Sequence, residues 1–536
     1  MSAPDLALVG ARIRTLDPEQ PFASAVALRD GVITAVGDDA TIRAECDGST
    51  ELVDGSGLHI VPGLTDAHLH PFWGAEATQG VDLSDVWTIA DLNATLATER
   101  DRRQGEGWIT GWGLHFEPFL ATGIRGDVFA DAVGSTPTLL GFFDGHTAVA
   151  NQAALDRSGI DGPRQFDELA AIVCDAEGRP TGELQESAAM QLVRDAIPHP
   201  SDEERYGWYV EAIRRMNAVG LTAIHGMDGE PATFELLRHL EARGDLTIRM
   251  TMPLWQKPEM TLDEMRDQLR FRKEKGRRWR GGTAKFFIDG VIESGTAWLV
   301  EADLKGDGLH PFWPDPEKYQ KAVKTFAEAG FQCITHAVGD RAVRCALDAY
   351  QAAGVAPGVR HRIEHIEQLT DEDLPRFAEL GVVASMQPLH MHAFEPDVSD
   401  EWQSRFEPDR LAKTFRTGDL KRSGAVIALG SDWMVAPFDP RLGMAWARLR
   451  RRPGHPERPP VIAGQALSAI DVLEGYTTLP AYTLSEESIA GRIAPGFRAD
   501  LTAFAADPVD TDADELIELP VLMTVVDGQI VYRANG

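Results

Sequence analysis

The chain has 536 residues, of which 43% are hydrophobic and 25% are charged, the composition of an ordinary globular protein. Its 52 Lys and Arg residues stand against 83 Asp and Glu residues, and the net charge of −31 excludes nucleic acid and anionic membranes as expected partners because both would be repelled. The N-terminus lacks a signal-peptide pattern, no apolar run reaches the ~18 residues of a membrane span, and the four cysteines lack paired spacing, so we expect a cytoplasmic protein that acts on a small molecule.

Both ends of the chain have the pattern of β structure. Near the N-terminus, strands are expected over 7–16, 25–28 and 32–37, the last two joined by a turn at Asp30-Gly31. Near the C-terminus the same pattern predicts strands over 499–504, 521–526 and 529–532. We therefore predict one small β-sandwich that is built from both termini, residues 1–60 and 481–536.

Residues 61–480 alternate between strand and amphipathic-helix patterns, which indicates parallel βα units. Helices are expected between the strands, for example over 316–329 and 340–353. Eight strands are expected, the number that closes a (β/α)8 TIM barrel, at 64–70, 221–226, 248–254, 283–289, 332–336, 361–366, 382–387 and 426–432. The predicted fold class is therefore α/β, with the barrel as its main domain.

The stretch between the first two expected strands is too long for a crossover. We therefore predict a large insertion over about 75–215, after barrel strand 1 and on the catalytic face of the barrel. Helices are expected over 88–103 and 201–219, and the aromatic segment 107–119 is expected to be irregular.

The first barrel strand ends in His68-Leu69-His70. Side chains alternate along a strand, so both imidazoles project to one side and could hold one metal ion. Pro62 is expected at the first position of this strand, where its missing N–H matters least. The chain also contains His390-Met391-His392, so the motif alone is weak evidence and its position must decide.

Three further expected strands end in residues of the types that bind metals in proteins. The fifth ends in His336, the sixth in His365 and the eighth in Asp432. Barrel active sites lie at the carboxyl ends of the strands, so these side chains should meet His68 and His70. His361 lies on the same expected strand as His365, which we prefer because it ends the strand. The concurrence of four strand ends predicts a metal site.

The fourth expected strand contains Lys285 within an apolar run. A buried ammonium is unfavourable unless it is paired or neutralised. One interpretation is that Lys285 points outward or pairs with Asp289 or Glu293. The other is that its neutral amine reacts with CO2 to give a carbamate, an anionic ligand that could bridge two metals.

This set of strand-end residues resembles the amidohydrolase superfamily, which has His-x-His on strand one, a carboxylated lysine on strand four, histidines on strands five and six and an aspartate on strand eight. The segments 141–146, 181–184, 336–343 and 385–388 resemble the amidohydrolase-3 group, which includes N-substituted formamide deformylases. Segment 114–118 departs from the tryptophan-rich loop that is common in that group. This difference bears on the identity of the substrate and not on metal binding.

The resemblance implies two divalent metal ions, expected to be Zn²⁺, and N6-carboxylysine at Lys285 between them. His68, His70 and Asp432 would hold the first ion. His336 and His365 would hold the second. Lys285 and Asp432 would also be the catalytic residues, with a metal-bridging hydroxide as the nucleophile and Asp432 as general base and then acid.

The implied activity is hydrolysis of carbon–nitrogen bonds other than peptide bonds. Aromatic residues near the expected mouth predict an N-acyl or N-formyl amide with apolar or aromatic groups. The candidate substrate contacts are His146, His225, His390, Trp73, Trp112 and Trp298. Structural roles are the alternative for His146, as a turn residue, and for His225, as a hydrogen-bonding partner of the ligands.

Three alternatives to a binuclear amide hydrolase stay open. The first is a mononuclear deaminase of an aromatic heterocycle, which would have no need of a bridging carbamate at Lys285. The second is a hydrolase of esters, lactones or carbamates. The third is a non-catalytic barrel scaffold, which the retained ligand set disfavours. If the chain forms an oligomer, the one that we consider is a homodimer.

Overall fold

Eight parallel strands follow one another in sequence order around a barrel. The computed structural model describes residues 3–354 and 356–534 of the chain. The barrel strands are Leu64–Leu69, Leu221–Gly226, Arg249–Trp255, Trp279–Phe287, Gln332–Ala337, Arg362–His365, Val383–Met386 and Ile427–Leu429. Each predicted strand overlaps one of these, which confirms the α/β barrel.

The barrel closes through the end of its first strand and the residues just after its last strand. The carbonyl oxygen of His68 accepts a hydrogen bond of 2.7 Å from Asp432 N, and His70 N donates to the carbonyl oxygen of Trp433 at 2.7 Å. The buried Asp66 carboxylate accepts from His68 N at 3.0 Å, and also from the N–H of the residue before Asp432 at 3.1 Å. Closure therefore holds the His-x-His segment beside Asp432.

Helices cover the outside of the barrel. They are Asp202–Ala218, Thr233–Arg243, Leu262–Asp267, Pro316–Glu328, Asp340–Ala353, Arg376–Leu380, Pro408–Leu411, Thr417–Arg422, Pro440–Leu449, Ala469–Gly475 and Thr478–Thr483. The helices predicted at 201–219, 316–329 and 340–353 are confirmed, and Ser201 and Glu204 form a capping box at the start of the first. Within the described ranges, no helix is both long and apolar enough to cross a membrane.

Strands from both ends of the chain share a second, branched eight-stranded sheet. Its strands are Leu6–Arg14, Phe22–Arg29, Val32–Gly37, Glu51–Asp54, His59–Pro62, Leu501–Phe504, Val521–Val526 and Gln529–Arg533, with one helix at Asp39–Glu45. His59–Pro62 joins the two ends of the chain, because it pairs with Leu6–Arg14 on one side and with Leu501–Phe504 on the other. Apolar side chains from both ends, among them Leu8 and Val525, form its core.

The prediction for Pro62 is wrong. Pro62 ends the strand His59–Pro62 of the terminal sheet, and the first barrel strand begins at Leu64. Gly63 separates the two strands, and a Cβ there would lie 2.3 Å from Thr222 Oγ1, so a side chain would clash with the second barrel strand. Two strands divided by a single glycine had the sequence pattern of one apolar run.

The insertion contains a six-stranded sheet that the sequence did not predict. Its strands are Val81–Asp82, Ile109–Leu114, Thr138–Phe142, Thr147–Ala150, Ala171–Cys174 and Pro180–Gln185, and its helices are Pro71–Ala77, Ile89–Arg102, Ala130–Val133, Gln152–Arg157 and Glu186–Arg194. The helix predicted at 88–103 is confirmed, with Thr88 at its N-cap. The irregular segment predicted at 107–119 is wrong, since Gly111 and Gly113 hide the alternation of the strand Ile109–Leu114.

Candidate metal centre

Asp432 lies at the middle of a cluster of histidines at the carboxyl mouth of the barrel. Its Oδ1 is 3.1 Å from His68 Nε2 and 3.3 Å from His70 Nε2. Its Oδ2 is 3.8 Å from His365 Nδ1 and 3.6 Å from His390 Nε2. One atom each from His68, His365 and Asp432 lie within 4.8 Å of one another, close enough to hold a single ion.

His336 extends the cluster on the side of the fourth strand. Its ring centroid is 4.4 Å from that of His365, and it stacks on Phe287 at 4.5 Å. His336 Nε2 lies 3.0 Å from the carbonyl oxygen of Gly290. Because a carbonyl only accepts, Nε2 carries the hydrogen and Nδ1 keeps a lone pair.

Glu364 orients His68 in the same way. The Glu364 carboxylate is 2.6 Å from His68 Nδ1 and accepts two further hydrogen bonds of 2.8 Å from the Arg362 guanidinium. Burial opposes ionisation, but Arg362 and His68 hold the pKa of Glu364 well below its usual value. A carboxylate acceptor places the hydrogen on Nδ1, so the lone pair of His68 is on Nε2, toward Asp432.

Arg362 itself connects four barrel strands from inside the barrel. The side chain is fully buried. Besides Glu364, its guanidinium donates to Ala67 O at 2.6 Å and to Ser385 Oγ at 2.9 Å, and it lies 2.9 Å from His225 Nδ1. These contacts fix the carboxylate that orients His68.

His365 and Asp432 reach the site from left-handed backbone conformations, with φ of 73° and 60°. Side chains alternate along a strand, so Glu364 and the adjacent His365 would ordinarily point to opposite faces. Here both contact His68, Glu364 through its carboxylate and His365 by ring packing at 4.7 Å. Such conformations cost about 1–3 kcal/mol in non-glycine residues and are enriched at functional sites.

Burial favours the neutral form of three histidines in this cluster. It lowers the pKa of His68, and it holds the pKa of His336 and of His365 well below the ordinary histidine value. Although burial raises the pKa of Asp432, the contacts with His68 and His70 hold it well below its usual range. Neutral imidazole and ionised carboxylate are the forms that bind metals.

Lys285 is fully buried beside this cluster. Among the described residues its Nζ has no hydrogen-bond partner, and it lies 4.8 Å from the centroid of the Phe287 ring. The interpretations in which Lys285 points outward or pairs with Asp289 or Glu293 are therefore wrong. Burial lowers the pKa of Lys285 to about 8, so a sizeable share of the amine is neutral near that pH.

Several buried polar atoms at this site have no hydrogen-bond partner. Within the described ranges they include His68 Nε2, His70 Nδ1, Lys285 Nζ, His365 Nδ1, His390 Nε2 and Asp432 Oδ1. A buried polar atom without a partner costs about 1–3 kcal/mol. Imidazole nitrogens and carboxylate oxygens are the donors that zinc and related divalent ions take. The residues present therefore fit a divalent metal.

The insertion brings His146 to the same site. Its ring centroid is 5.4 Å from that of His336, and its Nδ1 is 2.7 Å from Glu186 Oε2. Burial opposes the charged form, but Glu186 raises the pKa of His146 to about 9. His146 is therefore a charged hydrogen-bond donor whose Nε2 is not used by Glu186.

A small cavity of about 30 Å³ adjoins these residues. About 10–15 Å³ holds one water, so the space admits only a few heavy atoms. The apolar part of its wall is formed by Phe143, Val291, Val338, Trp402, Phe415 and Val435. The polar part is formed by Asp144, His146, Glu293, His336, His365, Glu367, His390 and Asp432.

The predicted substrate contacts divide into two groups. His146 and His390 border the cavity. His225 and Trp73 are not on the cavity wall. His225 contacts Arg362, and Trp73 packs on His70 with ring centroids 5.0 Å apart.

Trp112 and Trp298 are not on the cavity wall either. Trp112 belongs to the insertion strand that pairs with Val81–Asp82. The Asp289 carboxylate accepts a hydrogen bond of 2.9 Å from the backbone N–H of Trp298, and the Trp298 ring faces the Arg341 guanidinium. The sequence analysis expected both tryptophans to contact the substrate and did not predict these neighbours.

The sequence analysis missed the carboxylates behind the histidines. Glu364 orients His68, Glu186 pairs with His146, and Glu367 lies 3.3 Å from His390 Nδ1. A signal was present for one of them: Arg362 and Glu364 are two residues apart in a buried strand, so they share a face. Glu186 and Glu367 lie outside the barrel strands, where no periodicity marks them.

We expect Glu364→Gln to weaken metal affinity by about 10–100-fold, the usual effect of losing a carboxylate that orients a ligating histidine. Competition with a chromophoric chelator measures the affinity. Glu372→Gln is the matched control, because it is the same substitution at a side chain that is 79% exposed. Equal affinities for both variants would contradict the role assigned to Glu364.

The chain is similar to known proteins along most of its length. The Amidohydrolase family model matches residues 51–532. The N-substituted formamide deformylase of Arthrobacter pascens is 29% identical, and the match covers 99% of this chain and 99% of that protein. The resemblance that the sequence indicated is confirmed.

Solved structures share the fold. An uncharacterized metal-dependent hydrolase from Pyrococcus horikoshii OT3 is 23% identical with a TM-score of 0.73, covering 95% of this chain and 99% of that chain. An adenosine deaminase from Xanthomonas campestris, solved with bound zinc, is 15% identical with a TM-score of 0.52, covering 99% of this chain and 93% of that one. At these identities the likeness concerns the fold alone.

Proposed function

The chain belongs to the amidohydrolase family of metal-dependent hydrolases, and from this premise we propose that it hydrolyses small N-formyl amides that carry an apolar or aromatic group on nitrogen. The observation that supports a hydrolytic metal site is the convergence of unpartnered atoms of His68, His365 and Asp432 at one mouth of the barrel. We infer that the reaction takes place in the cytoplasm, on a soluble small molecule.

His68, His70 and Asp432 would hold one divalent ion, and His336 and His365 a second. Zinc is the metal we propose, since its donors match and the Xanthomonas adenosine deaminase was solved with it. Lys285 would join the two ions after its neutral amine attacks the carbon of CO2. A nitrogen–carbon bond then forms, a proton leaves to solvent, and the amine becomes an anionic carbamate.

When bound, a divalent metal lowers the pKa of water toward neutrality and polarises the carbonyl of the substrate. Asp432 would take the proton of the attacking water and return it to the leaving nitrogen, as general base and then acid. His146 would donate a hydrogen bond from Nε2 to the carbonyl oxygen as negative charge develops there. Glu186 would hold His146 in that orientation.

The size of the cavity supports formyl over larger acyl groups. A volume of about 30 Å³ beside Asp432 leaves room for few heavy atoms. The formyl group is the smallest acyl group an amide can have. The nitrogen substituent is too large for this space and would extend out of it past Phe143, Trp402 and Phe415, whose apolar side chains favour an apolar or aromatic group. The Arthrobacter relative is named for a substrate of the same class.

We expect the zinc-loaded protein to hydrolyse N-benzylformamide with a kcat/KM about 10–200-fold above that for N-benzylacetamide, the range that one methyl group is worth in a close-fitting pocket. Liberated benzylamine measures both rates. Benzyl formate is the ester control with the same acyl group. Equal rates for the two amides would contradict the formyl assignment, and turnover of the ester alone would contradict amide hydrolysis.

We expect Lys285→Ala to lose bound metal and activity, because the anion that joins the two ions is missing. Protein exchanged into ¹³C-labelled bicarbonate should show a carbamate carbon resonance by NMR that Lys285→Ala lacks. Lys324→Ala is the control, since Lys324 is an exposed lysine paired with Glu328 on a barrel helix. Unchanged metal content in Lys285→Ala would contradict the bridging role.

We expect His146→Ala to lower kcat by about 10²–10³-fold, the effect of removing one hydrogen-bond donor to a developing oxyanion. Metal content should stay the same, because His146 is not among the proposed ligands. His455→Ala is the matched control, an exposed histidine 2.9 Å from Glu457. A loss of metal in parallel with kcat would instead place His146 at an ion.

A further inference from the structure

A cavity of about 640 Å³ lies at the opposite end of the barrel from the metal centre. Its walls include Thr65, Thr222 and Met250, which lie toward the amino ends of their barrel strands, and Asp500 of the terminal segment. Its volume is within the range of pockets that hold small ligands, about 300–1,000 Å³. The proposed hydrolysis does not use this cavity.

The wall of this cavity is basic, although the chain as a whole carries a net charge of −31. Acidic residues on it are Glu274, Glu486 and Asp500. Its basic residues are Arg249, Arg272, Lys273, Lys275, Arg277, Arg278, Arg280 and Arg498. The sign of the local charge is thus opposite to that of the chain.

Ion pairs do not neutralise this cluster. The Asp527 carboxylate is shared by the guanidinium groups of Arg249, Arg277 and Arg278. Arg249 also pairs with Asp500 at 2.6 Å. Two carboxylates therefore face three guanidinium groups in this part of the wall, which leaves positive charge toward the cavity.

The other part of the wall has the same imbalance. Arg280 and Arg498 share the single carboxylate of Glu486, at 2.9 Å and 2.7 Å. A structural role explains these pairs in part, since they connect the barrel to the terminal segment. It does not explain cations that have no carboxylate at all.

Lys273 and Lys275 are such cations. Both are exposed, both line the cavity, and within the described ranges neither ammonium has an ion-pair or hydrogen-bond partner. Among the described residues, Arg272 beside them donates only to the carbonyl oxygen of Gly330, at 2.9 Å.

We propose that this cavity binds a small, soluble, phosphate-bearing anion at Lys273, Lys275 and Arg272. Guanidinium and ammonium groups form charge-assisted hydrogen bonds to phosphate oxygens, and several such groups surround one space here. The volume is sufficient for a ligand of nucleotide size. A nucleic acid polymer does not fit, because beyond the cavity it would meet the field of a chain with charge −31.

Calorimetric titration of the zinc-loaded full chain with pyrophosphate tests this proposal. We expect saturable binding with a Kd below about 1 mM, weakened about tenfold or more by the double substitution Lys273→Glu/Lys275→Glu. The control is Lys321→Glu/Lys324→Glu, which changes the net charge equally at lysines that are 61% and 58% exposed on a barrel helix. The control should bind as the natural chain does.

Three results would overturn the proposal. One is the absence of saturable binding by the natural chain. Another is equal binding by Lys273→Glu/Lys275→Glu, which would place pyrophosphate at the metal centre. The third comes from a second arm with phosphatidylglycerol vesicles: co-sedimentation that the double substitution abolishes, without pyrophosphate binding, would assign the lysines to a lipid surface. None of these results depends on the enzyme's substrate.

Discussion

The Glu364 carboxylate is the interaction on which the rest of the site depends. It lies between the Arg362 guanidinium and His68 Nδ1, and all three groups are completely buried. Without Arg362 an ionised carboxylate would be too unfavourable in the barrel interior, and without the carboxylate the orientation of His68 would be free. Because Arg362 also donates to Ala67 and Ser385, the same array that orients the histidine holds the strands together.

Backbone strain completes what this array begins. In an unstrained strand His365 would point away from the face that Glu364 occupies. The left-handed conformations of His365 and Asp432 add both side chains to the cluster around His68. Their combined cost of about 2–6 kcal/mol must be offset by packing and, under the proposed function, by metal binding.

Much of the barrel could be predicted from the sequence, because its strands are short apolar runs between amphipathic helices. The residues that end these strands were identified for the same reason. The insertion sheet could not be predicted, since Gly111 and Gly113 interrupt the alternation of one strand and the strand Val81–Asp82 is only two residues long. Glu186 could not be found either, because its role arises from a 2.7 Å contact with His146, 40 positions away in the sequence.

The barrel and the insertion contribute different parts of the site. The atoms that fit a metal come from barrel strands and the residues just after them, and the barrel is shared with an adenosine deaminase at 15% identity. The insertion instead supplies Phe143, Asp144 and His146 to the cavity wall. Without these three residues, the volume of the space beside Asp432 would be larger than about 30 Å³. Under the proposed function, the insertion, whose structure the sequence predicts least well, therefore contributes a hydrogen-bond donor, His146, and one part of the wall that meets the substrate.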